Sequence, residues 1–288
     1  RREPSSSLLA ERLSAAPGTR TFRADTRGTA ELIERNGYYM KKILFVGSEA
    51  MPFAATGGLG DVLGSLPAAI RARYGEDADV RVVMPLYDAV SEKWRAEMKT
   101  EAVFTVSLSW RRQYCGVRSL VRDGVTHYFI DNEYYFKRGA LYGQYDDGER
   151  FAFFSMAVVD MLEHISFYPD ILHAHDWQAA LSIVYLNQLC RWKEGYAGIR
   201  TVFTIHNIEY QGKYDPKILT DVFGLSSFDW RLMEYDGCIN LMKAAIVCAD
   251  KVTTVSPRYA GEIRSSEYGH GLEHILDAFG YKLIGILN

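Results

Sequence analysis

From Met40 onward the sequence predicts an α/β protein built on a Rossmann-like, doubly wound and mostly parallel sheet. Three observations carry this. Short apolar runs alternate with stretches of helical periodicity, the order in which βαβ units are written. The first apolar run passes into a helical stretch through a glycine-rich loop. Two later runs end in polar and aromatic clusters, as strands do where open α/β sheets bind ligands.

The elements follow in order. Residues 43–46 (Ile-Leu-Phe-Val) are the first strand, and the loop 47–60 leads to Val62, Leu63, Leu66 and Ile70, which recur at helical spacing. Further strands are expected at 80–84, 171–175, 201–205 and 252–255, each short, apolar and bounded by polar residues. Residues 117–121 and 125–130 flank Asp123-Gly124, a dipeptide that accepts the positive φ angles of a tight hairpin, and are predicted to form a small antiparallel insertion. A helix over 151–165 feeds the strand at 171–175.

Residues 1–39 differ in composition, being rich in Arg, Ser, Ala and Thr without an apolar period. They are expected to be a disordered or non-native leader before a natural start at Met40, with 40–288 as one domain. Glu3, Glu11, Asp25, Glu31 and Glu34 argue against a transit peptide, which is poor in acids. A net charge of -3 with no charge blocks gives no field for nucleic acid or anionic lipid. No apolar run is long enough to cross a membrane. The four cysteines are far apart and form no Cys-x-x-Cys pair, which points to reduced thiols rather than a disulfide framework or zinc knuckle.

Three strand ends carry candidate chemistry. Thr56-Gly57-Gly58-Leu59-Gly60-Asp61 places bare backbone at a helix start, where N–H groups can meet a phosphate or a sugar hydroxyl. No Gly-Lys-Ser/Thr follows, and Leu63 stands where a dinucleotide fingerprint has its third glycine, so neither a Walker A loop nor a nicotinamide site is indicated. A tight turn with close helix packing is the plain alternative. His173-Ala174-His175-Asp176-Trp177 puts two imidazoles on one strand face; sugar binding and His-x-His metal ligation, with Asp176 and His206 as further ligands, both remain open. The run 204–212 (Thr-Ile-His-Asn-Ile-Glu-Tyr-Gln-Gly) combines amides with an aromatic ring, the mixture a carbohydrate surface needs. Tyr134, Tyr135, Phe136, Tyr142 and Tyr145 either line a glycan groove or pack a loop with its own aromatics. Asp146-Asp147-Gly148-Glu149 suits the start of a helix.

Taken in order, residues 43–49, Pro52-Phe53, 56–62, 173–177, 204–212 and Val255-Ser256-Pro257 resemble the bacterial glycogen synthases and plant starch synthases. The resemblance implies the N-terminal half of a GT-B glycosyltransferase. That enzyme moves glucose from ADP-glucose to an α-1,4-glucan with retention, in the cytoplasm (or a plastid, were the leader a transit peptide), with neither metal nor cofactor. It implies His175 and Asp146 as catalytic residues, and Thr56, Gly57, Gly58, Asp61, Tyr135, His173, Asn207 and Tyr210 as substrate contacts. There are two departures. Ala55 replaces the family's lysine before Thr-Gly-Gly-Leu, and the chain ends at Asn288 without the C-terminal nucleotide-binding domain. The expectation is therefore a glucan-side half that is inactive alone, with a non-catalytic glucan-binding module or a His-x-His hydrolase as alternatives.

Overall fold

The computed structural model describes residues 40–288, so the leader expected at 1–39 lies outside the described residues. The chain begins β1 (Lys41–Val46), α1 (Gly58–Tyr74), β2 (Ala78–Pro85), β3 (Lys99–Leu108), β4 (Arg111–Arg122) and β5 (Val125–Asp131). It continues α2 (Asp147–His164), β6 (Ile171–His175), α3 (Asp176–Tyr185), β7 (Arg200–Ile205), β8 (Lys213–Tyr214), β9 (Glu234–Tyr235) and β10 (Cys238–Asn240). It closes with α4 (Leu241–Cys248), β11 (Lys251–Thr254), α5 (Pro257–Glu262) and β12 (Leu283–Gly285), with shorter helical turns between.

Nine strands form one sheet in the order β12-β11-β7-β6-β1-β2-β5-β4-β3, and β8-β10-β9 form a second, small antiparallel sheet. Pairing is parallel from β12 through β5 and antiparallel only for β5–β4 and β4–β3. The parallel strands read as continuous apolar runs because both their faces are covered. Leu44, Phe45 and Val46 of β1 are at most 1% exposed. Helix α2 is buried along nearly its whole length, which is why its sequence is apolar on every side.

The Asp123-Gly124 turn is as the dipeptide predicts: φ is 52° and 73°, the paired left-handed geometry of a two-residue hairpin loop. The antiparallel hairpin is continuous with the main sheet. β5 pairs in parallel with β2, so β4 and β3 extend the main sheet at its edge. β3 escapes the apolar-run pattern because it is mostly exposed and alternates polar with apolar residues. Asp250 ties two parallel strands, accepting from the Thr201 backbone N–H (2.8 Å) and the Thr201 hydroxyl (2.9 Å). All four cysteines are free thiols. Among the described residues no helix is long and apolar enough to cross a membrane.

Candidate active site

β1 is where the strand order reverses: the chain moves from β1 to β2 on one side and later lays β6 on the other. Such a switch point opens a crevice at the carboxyl ends of the strands. A cavity of about 810 Å³ lies there, lined from the segments that follow β1, β6, β7 and β11 and from the turn that enters α2.

The wall after β1 is the glycine loop. Gly57 is extended (φ -166°, ψ -164°), a conformation any residue adopts, and no atom lies within 4 Å of a Cβ built on Gly57 or Gly58. Neither backbone nor packing requires glycine at these positions. Gly60 and Gly64 are different: a Cβ on Gly60 would meet Ala55 Cβ at 2.3 Å, and one on Gly64 would meet the Met51 carbonyl oxygen at 2.8 Å. Gly60 and Gly64 are thus closely packed, whereas the backbone at Gly57 and Gly58 faces open space. Beneath the loop, the Glu49 carboxylate is 3% exposed and accepts from the Thr56 N–H (2.5 Å), the Thr56 hydroxyl (2.8 Å), the Gly57 N–H (3.3 Å) and the Tyr142 hydroxyl (2.6 Å).

At the end of β6, His173 and His175 share one strand face over Phe45, with ring centroids 4.3 Å apart. His173 Nε2 meets Thr204 Oγ1 at 2.6 Å, and that hydroxyl meets Thr253 Oγ1 at 2.6 Å. His175 is 1% exposed, its Nδ1 lies 2.9 Å from His206 Nε2, and its Nε2 is buried without a partner. Burial pushes His173 down to about 3 and His206 down to about 4, and holds His175 well below the usual imidazole value, so all three rings are neutral near pH 7. Three of these ring nitrogens are engaged, His175 Nδ1 with His206 Nε2 and His173 Nε2 with threonine. Among the described residues no group of three or more His, Cys, Asp or Glu is arranged to hold a metal ion. Asp176, the next residue, is left-handed (φ 57°), accepts the His206 N–H at 2.8 Å, and is pushed up to about 7 by burial. A left-handed non-glycine residue at a pocket wall is local strain held by its surroundings.

The β7 wall presents His206, Asn207 and Tyr210 to the cavity, with Tyr210 62% exposed. Its loop is pinned by Gln211, whose amide donates to the Ile208 and His270 carbonyls (3.0 Å each) and accepts from Asn240 Nδ2 at 2.8 Å. Gly212 (φ 66°) lies flat against Trp177, and a Cβ there would come within 2.8 Å of the indole. On the fourth side Asp147 accepts the Gly143 N–H (2.8 Å) and pairs with the fully buried Arg150 (2.5 Å).

The expected site residues therefore divide. Thr56, Gly57, Gly58, Asn207 and Tyr210 line the cavity. His173 and His175 stand behind its wall, because the strand pleat turns both rings onto Phe45, and His206 faces the cavity in front of His175. Three of the expected residues lie outside the lining. Tyr135 is fully buried, its hydroxyl donating to Glu149 at 2.7 Å, so the loop packed by its own aromatics is right for it and Phe136, while Tyr142 reaches the cavity. Asp146 is held by Arg138 at 3.0 Å outside the lining, and the acid on the cavity wall is its neighbour Asp147. Asp61 is exposed in the first turn of α1, where it complements the helix dipole rather than lining the cavity. Glu49 and Gln178 are lining residues that the motifs did not single out. Glu49 follows a strand by three residues, and its burial was its only distinction.

A Rossmann-like sheet with a switch-point crevice lined by bare glycine backbone, amides, imidazole and aromatic rings is the architecture of one half of a GT-B glycosyltransferase. The family model for the starch synthase catalytic domain matches residues 42–278. Curated relatives include a glycogen synthase of Lactobacillus acidophilus, 49% identical over 250 residues, covering 86% of this chain and 52% of that protein. One of Streptococcus agalactiae is 48% identical over 249 residues with the same coverage. Among solved structures, the catalytic domain of starch synthase IV from Arabidopsis thaliana bound to ADP and acarbose superposes with a TM-score of 0.77 at 31% identity, covering 86% of this chain and 51% of that one. This chain belongs to the starch synthase catalytic-domain family. It spans about half the length of the curated relatives it matches.

Proposed function

We propose that this chain is the glucan-side half of a glycogen synthase, which transfers glucose from ADP-glucose to the non-reducing end of an α-1,4-glucan with retention. The observation that carries the proposal is the pair Gly57–Gly58. Neither conformation nor packing calls for glycine there, so the missing side chains leave room for a ligand to lie against the backbone. Opposite them, Tyr210 offers a ring for the apolar face of a glucose unit, and Asn207 and His206 offer polar groups for its hydroxyls.

In this reading the bond from the glucose C1 to the diphosphate breaks, the acceptor hydroxyl bonds to C1 on the same face, and its proton leaves with the diphosphate. Positive charge grows at C1, and the carboxylate of Asp147 on the wall is the fixed group that favours it. His175 supports the sugar end through His206. Neutral imidazoles add no opposing charge. No metal or cofactor has a step in this scheme. Among the described residues no Lys or Arg lines the cavity, so the charge that balances the diphosphate falls to the other half of the cleft. The chain alone then binds glucan without turning over, and its place is the cytoplasm.

Calorimetric titration of the 288-residue chain with maltoheptaose tests the reading. Binding that disappears in Tyr210→Ala is expected. A folded chain that binds no maltooligosaccharide overturns the reading, and glucose incorporation from ADP-glucose by the isolated chain overturns its half-site character.

A further inference from the structure

An anion site at a helix start ordinarily takes an external ligand, because the first N–H groups of the helix have no partner of their own. Here α1 has an anion of its own. The carboxylate of Glu49 sits under the loop, takes the Thr56 and Gly57 N–H groups and the Thr56 hydroxyl, and crowds the spot where a Cβ on Gly60 would lie, at 3.2 Å. The same carboxylate accepts the Tyr142 hydroxyl, and Ser48 Oγ donates in turn to that phenol oxygen at 2.7 Å. Burial raises the Tyr142 phenol above its ordinary value, so it remains a donor.

One buried carboxylate thus joins two walls that come from distant parts of the chain. The glycine loop follows β1, while Tyr142 belongs to the turn carrying Gly143 and Asp147. Both oxygens of Glu49 are spent, one on the two loop N–H groups and one on the two hydroxyls. What the loop leaves for a ligand is the N–H of Gly58 and of Leu59, in the first turn of α1, where no intrahelical acceptor exists.

We propose that Glu49 is a positioning residue: it fixes the glycine loop against the Tyr142–Asp147 wall and selects the Gly58 and Leu59 N–H groups as the donors the loop presents to substrate. This rests on the glucosyltransferase reading for its functional consequence, but not for the coupling itself. Glutamine at 49 keeps the size and one acceptor oxygen, yet it turns an NH2 group toward a donor and so breaks one side of the joint.

Two measurements on Glu49→Gln test the proposal. Hydrogen exchange on the 288-residue chain is expected to rise together in residues 54–60 and 141–148, by about tenfold or more, while β6 and β7 stay protected. A rise in one segment only, or in neither, overturns the coupling whatever the protein does. In a chain completed with the second half that the relatives carry, turnover assayed well below the melting temperature is expected to fall by about 10- to 100-fold with KM for glucan within about threefold, since a misplaced loop costs chemistry more than acceptor binding. Tyr142→Phe is expected to lose less, and the double variant to be no slower than Glu49→Gln, because Tyr142 acts through Glu49. Unchanged turnover, or additive losses, overturn the positioning role. If exchange responds as expected but the completed wild-type chain transfers no glucose, the glucosyltransferase reading fails and the coupling stands.

Discussion

His175 Nδ1 and His206 Nε2 lie 2.9 Å apart, so one of the two rings donates and the other accepts, and neither can change tautomer alone. The ring seen by the cavity is His206, and the ring that sets its hydrogen-bonding pattern is His175, wedged between Phe45, His173 and His206. In a completed two-domain protein, His206→Ala and His175→Ala are each expected to lower kcat by about one to three powers of ten. The double variant should be no worse than the poorer single one, because the rings act as a unit. Assay of ADP release gives both numbers. Losses that multiply would mean that the imidazoles work independently.

The same burial changes what His175 does for the fold. A residue at a strand mouth reads as dispensable for packing, but at 1% exposure its ring fills core space. His175→Ala is therefore expected to cost about 1–3 kcal/mol in urea unfolding as well as activity. A stability change below about 0.5 kcal/mol would place the ring in looser surroundings than its contacts indicate.

Acid should unfold this protein through its imidazoles. Burial holds His127 and His206 down at about 4, His173 at about 3, and His175 well below its ordinary value. A group whose folded pKa is depressed binds its proton more readily unfolded, so the stability these neutral rings allow is complete above about pH 6.5 and is lost as pH falls toward about 4. Asp176 works the other way. Raised to about 7, it holds its proton in the folded state at pH 5–6, and unfolding releases it, which offsets one imidazole. We expect stability from urea melts to decline between about pH 6.5 and 4.5 with a steepest slope of about 3–4 kcal/mol per pH unit, the value for a net uptake of two to three protons. A flat profile would contradict the burial of these rings as neutral groups.

Adjacent acids should behave unlike each other. Asp147 is the partner of a fully buried guanidinium, whose Nε also donates to the Tyr135 carbonyl at 2.7 Å, whereas Asp146 pairs with the part-exposed Arg138. Asp147→Ala leaves the Arg150 charge buried and unpaired and is expected to cost about 3–5 kcal/mol. Asp146→Ala is expected to cost about 1 kcal/mol or less. Calorimetric melting of the two variants separates them, and equal losses would contradict the assignment of Asp147 to the cavity wall and Asp146 to its outside.

Much of this was written locally in the chain. β6 ends at His175 as the apolar run predicts, and the Asp123-Gly124 turn follows from its own φ preferences. The glycine loop, the His-Ala-His-Asp-Trp run and Asn207–Tyr210 reach one crevice because parallel strands end on the same side. What local pattern could not give is depth. Tyr135 and Tyr142 look alike in sequence, but one is closed off by Phe153 and Glu149 while the other meets Glu49 at the cavity wall. Asp146 and Asp147 differ only in which side of a helix start they face. The edge strand β3 was missed because its burial is one-sided, and the role of Glu49 because its four partners lie on two distant segments.

The last expectation separates glycines that serve the fold from glycines that serve the ligand. Gly57→Ala and Gly58→Ala put a methyl group where nothing stands within 4 Å, at backbone angles alanine accepts, so the folded state is undisturbed. Removing glycine also narrows the unfolded ensemble, and each variant should be unchanged or up to about 1 kcal/mol more stable. Gly60→Ala and Gly64→Ala drive a methyl group into Ala55 and into the Met51 backbone, neither of which can turn aside as a long side chain would. Overpacking of this kind costs about 1–3 kcal/mol or more. Ligand binding should divide the other way. A methyl group on Gly57 or Gly58 stands where a sugar nucleotide would lie against the backbone, so in the completed protein KM for ADP-glucose should rise by about tenfold or more in a fully folded variant. Melting curves and donor titrations on the four variants give the two columns of the comparison. A folded Gly58→Ala protein with unaltered donor kinetics would show that the open space above the loop is not where the ligand sits, and the reading that rests on Gly57–Gly58 would fall with it.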